Sequence, residues 1–336
     1  MTVKKRFYMV AVILVVILVG CLYGHLRTGF TDVSDTRLLN VLLGNGSEAE
    51  NLTVFDFRMV RSVLALLIGM GLALSGAVFQ TIARNELASP SLLGVNAGAG
   101  LGVVLLIYFT NGNNSLGIWT MPMVAIIGAT AVASLIYRLS YRGGRILSTH
   151  TLVLTGISLS AGIHAIQTLL VVRLDPNKFY MVNTWVIGSI SGNSWNHVAI
   201  LAPIVIFLAL VLYARHMDLN ILSLADETAI GLGIRINRAR FIYLMIAVVL
   251  AACCVAIGGS IGFVGLISPH IARRLVGADH SYYLPVTALI GAILVVAADW
   301  FGRAIVAPDE ILVGIVVSLI GAPYFLYILA KAKAKA

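Results

Sequence analysis

A stripe of small and polar residues lies on one face of an apolar segment near residue 160. Its members are Gly156, Ser160, His164 and Gln167. Steps of four, four and three residues place them on one side of a helix. In a membrane such a stripe faces a neighbouring helix or a water-filled path rather than lipid. Two interpretations remain open: hydrogen bonding between helices, and the lining of a translocation path.

Other residues could in principle carry out covalent or proton chemistry. Ser160 and His164 could act as nucleophile and base, but two residues on one helix rarely align for attack, and no oxyanion site is apparent. Asp299 is the only acidic residue well inside an apolar run, and Arg303 follows it one turn later. This spacing predicts a local ion pair rather than a proton relay.

Neither an ATP-hydrolysing loop nor a metal site is indicated. No glycine-rich loop is followed by Lys and then Ser or Thr, so the chain does not itself hydrolyse ATP by that machinery. Cys21, Cys253 and Cys254 lie in apolar runs without metal-ligand spacing. We therefore interpret the cysteines as packing residues and expect no metal.

The elements that position these residues are predicted to be membrane-spanning helices. The 336 residues are 60% hydrophobic and 11% charged, whereas soluble domains are about 25% charged. A spanning helix needs roughly 20 mostly apolar residues. We expect an all-α integral membrane protein with one domain over residues 1–336. The ten predicted spans lie near 8–24, 58–83, 93–110, 120–139, 151–172, 197–214, 238–258, 260–275, 284–302 and 311–330.

The positive charges predict the orientation of these spans. With the N-terminus inside, sixteen of the 23 Lys and Arg residues fall on the cytoplasmic side and seven outside, as the positive-inside rule requires. Both termini are then cytoplasmic, and the expected location is a bacterial cytoplasmic membrane. The net charge of +9 does not indicate a nucleic-acid partner, because the basic residues concentrate on the cytoplasmic side of the predicted spans, next to membrane lipid.

A polar stretch in the longest inner loop, residues 221–235, is too short to span. Asp226 and Glu227 suit the first turn of a helix, and Gly231 and Gly233 suit its end. From its sequence alone, this helix could lie on lipid headgroups or dock a cytoplasmic partner.

Six blocks, in order, resemble the FecCD-type permease family, the membrane subunits of importers for iron-siderophores, haem and vitamin B12. They are Arg58-Met-Val-Arg61, Asn85 to Gly100, Trp185 to Ser189 with Trp195, Leu224 to Gly233, Gly262 to Arg273, and Glu310 to Phe325. Two departures are Met59-Val60 and Ile311-Leu312, where the family usually has Leu-Pro or a similar pair. The resemblance implies a type II ABC importer permease fold of ten helices, paired as a homodimer or heterodimer.

The resemblance also implies roles for particular residues. The fifth and tenth helices would line the path, with candidates Gly156, Ser160, His164, Gln167 and Ser318. Two ATPase subunits would dock on a coupling loop, with candidates Ala225, Asp226, Glu227, Gly231 and Gly233. An extracytoplasmic substrate-binding protein would dock on Arg58, Arg61 and Arg303, because arginine forks suit carboxylates.

The implied function is alternating-access import of an iron-siderophore complex. The chain would bind no cofactor of its own, and ATP would be used by the partner ATPases. Among cargoes we favour a catecholate over a hydroxamate chelate, with haem and vitamin B12 as alternatives. An ion-coupled secondary transporter is less favoured, because acidic residues are scarce within the spans.

Overall fold

The computed structural model describes residues 2–29, 34–110, 119–141, 149–306 and 309–333, and regular structure within these ranges is entirely helical. The α-helices are α1 Val3–Arg27, α2 Asp35–Leu42, α3 Glu48–Asn51, α4 Val60–Ala83, α5 Val95–Phe109, α6 Thr120–Ser140, α7 Thr149–Val171, α8 Pro176–Ile187, α9 Trp195–Ala214, α10 His216–Leu222, α11 Asp226–Gly231, α12 Ile236–Gly258, α13 Val264–Val276, α14 His280–Ile305 and α15 Val313–Lys333. A π-helical segment, Leu52–Met59, joins α3 to α4, and a 3-10 turn, Pro90–Leu93, precedes α5.

The helices long and apolar enough to cross a membrane match the predicted spans. Within the described residues there are seven, namely Val3–Arg27, Glu48–Ala83, Thr120–Ser140, Thr151–Val171, Trp195–Ala214, Ile236–Gly258 and His280–Ile305. Two shorter apolar helices, Val95–Phe109 and Val313–Ile328, lie at the predicted third and tenth spans. The prediction of an all-α membrane protein is confirmed.

The predicted eighth span, 260–275, is helical only over α13. Thirteen residues rise about 20 Å, short of a hydrocarbon core of about 30 Å. Residues Gly259–Phe263 precede α13 without regular helix. Irregular backbone at membrane depth requires protein around it or a cavity beside it, and here Gly259 and Ile261 are buried while Ser260, Gly262 and Phe263 are partly buried.

Helix α4 is the buried axis of the bundle. It packs against α12, α13 and α14 through the small residues that its sequence repeats. A Cβ atom at Gly69 would overlap the backbone of Gly291 on α14, and one at Gly76 would overlap Gly265 on α13. Because lipid gives no hydrophobic drive between helices, such close backbone approach is what holds them together.

Three chain segments meet backbone to backbone beside α8. Gly188 and Gly259 have positive φ angles of 99° and 70°, which glycine adopts without steric cost. The Ser260 amide donates to the Trp185 carbonyl at 3.3 Å, and the Gly314 amide donates to the Gly188 carbonyl at 3.3 Å. The end of α8, the break before α13 and the start of α15 are therefore fixed relative to one another.

The segment between the first two predicted spans contains a short amphipathic helix. This helix, α2, covers Asp35–Leu42. Its buried face, Leu38 and Val41, packs on Val54 of the π-helical segment. This small cluster secures the chain that leads into α4.

Candidate functional sites

Asp299 is the centre of a buried ion cluster where the end of α1 meets the start of α4. Its exposed fraction is 1%. Arg61 binds it with a fork, Nε to Oδ2 and Nη2 to Oδ1, both at 2.8 Å. His25 Nε2 lies 2.8 Å from Oδ2, and Arg303 Nε lies 3.5 Å from the same oxygen. The predicted Asp299–Arg303 pair is confirmed, but Arg61 makes the shorter contacts.

Two of the predicted docking arginines cap the C-terminal end of α1. Arg58 Nη1 donates to the carbonyls of Leu26 and Arg27 at 2.8 and 2.7 Å. Arg303 Nη1 donates to the carbonyl of Thr28 at 3.0 Å. The last carbonyls of a helix have no partner within it. The two guanidinium groups supply that partner and attach α1 to the π-helical segment before α4 and to α14.

The structure therefore brings Arg58, Arg61 and Arg303 together, but it turns their side chains inward. Arg58 is 5% exposed, and the side chains of Arg61 and Arg303 are 15% and 10% exposed. Arg61 Nη1 contacts Glu310 Oε2 at 2.7 Å, and the Glu310 side chain is 32% exposed. Docking of a binding protein stays a prediction, and the accessible edge of this cluster is the Arg61–Glu310 pair.

The cluster also contains a Ser–His–Asp chain that sequence analysis did not anticipate. Ser62 Oγ lies 2.7 Å from His25 Nδ1, and it donates to the Arg58 carbonyl at 2.8 Å. Ser62 and His25 are both buried, so no substrate reaches the hydroxyl. We interpret the chain as a structural link between α1, α4 and α14. A histidine in the first apolar span was the available signal, because polar residues at such positions have partners.

The polar stripe on α7 is buried against α5 at Gln167, whereas His164 is exposed. Gln167 is buried and donates through Nε2 to the Ala97 carbonyl at 2.9 Å, and its Oε1 lies 2.8 Å from His164 Nδ1. Among the residues that the structure describes, Ser160 Oγ has no hydrogen-bond partner. It is therefore not activated by His164. Gly156 is buried on the same helix.

Ser318 lies apart from the α7 stripe, on a cleft beside α15. The cleft has a volume of about 660 Å³. Its lining residues are Val186, Ile187, Ser260, Gly314, Ile315, Ser318, Leu319, Ala322 and Pro323. The lining is mostly apolar with two hydroxyl groups. Of the predicted path residues, only Ser318 lines this cleft.

The predicted coupling loop forms the short helix α11, Asp226–Gly231, preceded by Ala225. The Asp226 carboxylate turns back into the chain, where Arg84 and Arg240 bind it. Glu227 and Ile230 are exposed on α11, as are the flanking Gly231 and Gly233. With Leu224 and Leu232, also exposed, the outward face of this loop is largely apolar. Helix α11 is thus held by Arg84 and Arg240 on its inner side, and its outer side is exposed.

Helix α10, which leads into this loop, is fastened to the start of α14. Asn220 Nδ2 donates to Asp279 Oδ1 at 3.0 Å, and the Ser281 amide donates to the same oxygen at 3.0 Å. Burial raises the pKa of the Asp279 carboxyl, but these hydrogen bonds outweigh it and hold the pKa below its usual value. Asp279 is therefore ionised at neutral pH.

The apolar helices packed around α4 define a polytopic α-helical membrane protein. It has an ion cluster at one end of the bundle and a fixed, partly exposed short helix at the other. Residues 12–331 match the FecCD transport family. The chain belongs to that family.

Known proteins of similar sequence and structure are permeases and transporters. The iron(3+)-hydroxamate import system permease protein FhuG of Bacillus subtilis (strain 168) is 44% identical over 313 residues, covering 91% of this chain and 92% of that protein. The Fe(3+)-citrate import system permease protein YfmE of the same organism is 39% identical over 326 residues, covering 97% and 96%. A solved structure described as a metal-chelate type ABC transporter in an inward-facing conformation has a TM-score of 0.83 and 29% identity, covering 98% of this chain and 99% of that one.

Proposed function

We propose that the chain is the membrane-spanning permease subunit of an ATP-binding-cassette importer for iron-siderophore complexes. The main support for this proposal is that the chain is 44% identical to an iron(3+)-hydroxamate permease over nearly the full length of both proteins. The chain performs no covalent chemistry and binds no cofactor. It opens a central path to one side of the membrane at a time while a separate ATPase uses ATP.

The favoured cargo is a ferric hydroxamate. This reverses the order expected from the sequence, because the hydroxamate permease is more similar to this chain than the ferric-citrate permease, at 44% against 39% identity. Ferric citrate is the second candidate. The cleft beside Ser318 and Ser260 is mostly apolar with two hydroxyl groups, so it offers a chelate only weak contacts, which allow passage.

The partners are a second permease subunit, two ATPase subunits and an extracytoplasmic substrate-binding protein. Support for ATPase docking comes from α11, whose exposed Ile230 and Leu232 leave apolar surface uncovered beside Glu227. Apolar surface with charged flanks is typical of protein interfaces. For the binding protein, the Arg61–Glu310 edge is the candidate contact.

The orientation follows from charge. We place both termini in the cytoplasm and α11 on the cytoplasmic face, because Lys and Arg concentrate on that side. Loop 221–235 then lies beside the ATPases, and the Asp299 cluster lies at the outer surface, towards the binding protein. The location is the bacterial cytoplasmic membrane.

Uptake of radioactive iron by a deletion strain tests the proposal. Cells lacking the chain and cells complemented with it receive ferric desferrioxamine, a ferric catecholate or ferric citrate under iron limitation. We expect only complemented cells to take up the hydroxamate, and ATP depletion to stop uptake while the proton gradient is maintained. Uptake that survives ATP depletion and collapses with the gradient would instead identify an ion-coupled transporter.

A further inference from the structure

Arg84 ends α4 in a backbone conformation that is unusual for its side chain. Its φ angle is 48° and its ψ angle 36°, in the left-handed region. Bulky residues seldom adopt this region, and such outliers often mark functional positions. Here the conformation directs the side chain at the loop containing α11. Arg84 Nε donates to the Leu222 carbonyl at the end of α10 at 3.4 Å, and Nη2 contacts Asp226 Oδ1.

A second arginine binds the same carboxylate oxygen from another helix. Arg240 Nη2 of α12 lies 2.7 Å from Asp226 Oδ1. Arg240 is 3% exposed, whereas the side chains of Arg84 and Asp226 are 32% and 28% exposed. One carboxylate at the first turn of α11 is thus held by guanidinium groups from α4 and α12. We name this group, Arg84, Asp226 and Arg240, the inner clamp.

The opposite end of α4 is held in the same way. Arg61 joins α4 to α14 through Asp299, and to the segment before α15 through Glu310. The 24 residues of α4 form a rod of about 36 Å. Its glycine contacts with α13 and α14 are backbone to backbone, so the rod has little room to bend. A rigid helix therefore connects the ion cluster at one end of the bundle to the inner clamp at the other.

We propose that Arg84 and Arg240 are positioning residues that hold α11 at a fixed angle to α4, so that movement of a docked ATPase is transmitted to α4. The inference rests on the proposed function, because it requires an ATPase on α11. Asp226 then acts as an internal anchor and is not itself the contact with the ATPase. The contact surface is the outward face, Leu224, Glu227, Ile230 and Leu232.

The clamp makes a prediction about coupling rather than about folding. A partly exposed ion pair contributes little to stability, so loss of Arg84 leaves the bundle folded. Loss of the fixed angle instead lets α11 move without α4. The ratio of chelate transported to ATP hydrolysed reports this directly, whereas a purely structural role would lower both quantities together through the amount of protein in the membrane.

The test uses the whole transporter, with its ATPase and binding protein, in proteoliposomes supplied with radioactive ferric desferrioxamine. Arg84→Gln should lower transport per ATP hydrolysed by about tenfold, within the usual range of coupling free energies. Arg84→Lys keeps the charge but cannot make both contacts, so it should give an intermediate ratio. The matched control is Arg238→Gln, which removes an exposed arginine two positions from Arg240 on the same helix.

Each result has one meaning. A ratio for Arg84→Gln equal to that of Arg238→Gln would overturn the inference while leaving the proposed function intact. If Arg84→Gln does not accumulate in the membrane, Asp226→Asn is measured instead, and a wild-type ratio in that variant would likewise overturn the inference. A wild-type chain that assembles with no ATPase and transports no chelate would overturn the proposed function and the inference together.

Discussion

Replacing Asp299 by Asn is the sharpest single perturbation of the buried ion cluster. The amide has nearly the shape of the carboxylate but no charge. Arg61, with a 15% exposed side chain, and Arg303, with a 10% exposed one, would then face each other without their shared counter-charge. Arg61 would retain Glu310, whereas Arg303 would keep, among the residues described, carbonyl acceptors at the end of α1.

The expected cost follows from this burial. Breaking a buried ion pair by removing one partner destabilises a protein by about 3–5 kcal/mol. Asn still accepts one hydrogen bond from Arg61, so we expect the lower end, about 3 kcal/mol. Since each 1.4 kcal/mol is a factor of ten, local opening at the end of α1 should become roughly 100-fold more frequent.

Amide hydrogen exchange of residues 24–28 in detergent measures this opening directly. Trp300 provides a second probe, because its Nε1 donates to Thr28 Oγ1 at 3.0 Å and its fluorescence should change as α1 detaches. The matched control is Asp309→Asn, which removes an exposed carboxylate from the same end of the bundle. If the amide exchange rate in the Asp299→Asn variant stays within about threefold of the rate in the control, the reasoning is refuted. Such a result would show that the ion cluster does not hold the end of α1 in place.

The same geometry changes how docking must be tested. Replacing Arg61 by Glu would set two carboxylates together in the buried cluster, so loss of uptake would report misfolding and not lost docking. Glu310→Gln is the better variant, because it frees Arg61 Nη1 while Asp299 stays paired. We expect the binding protein to associate more tightly with Glu310→Gln than with Asp309→Asn, as measured by binding to the purified transporter in nanodiscs. Weaker association would argue against docking at this edge.

Three further predictions concern packing and docking. Gly76→Val should prevent close approach of α4 to α13 and reduce folded yield on gel filtration, whereas Gly162→Ala, with open space around it, should not. Ile230→Asp should weaken co-purification of the ATPase without lowering membrane insertion, and equal co-purification would contradict docking on α11. Gln167→Leu removes the hydrogen bond that joins α7 to the Ala97 carbonyl of α5 and should cost about 1–2 kcal/mol of stability, seen as a lower unfolding temperature, with little change in the cargo selected.

The helical type of the apolar segments and the positions of most spans could be predicted from the sequence, because both follow from local properties. Apolar stretches of spanning length must satisfy their backbone internally, so they become helices. Small residues at a spacing of four in the second predicted span, such as Gly69 and Ala73, predict close helix packing, and the structure shows close backbone approach at Gly69 and Gly76. The short helix at Asp226 was also recognisable from its first-turn acids and its terminal glycines.

The sequence by itself therefore determined the membrane class, the spans and the family blocks, and it brought Arg58, Arg61 and Arg303 into one group. Only the tertiary structure decided which way these side chains turn. Helical periodicity specifies the face on which a residue lies, but the acceptors on the opposing face belong to helices hundreds of positions away. Arg61 lies 238 positions from Asp299 and Arg84 lies 142 positions from Asp226. Burial makes an unpaired charge costly, and that cost fixed Arg61 on Asp299. Arg84 is about one third exposed, and the left-handed conformation at the end of α4 directs it at Asp226 instead.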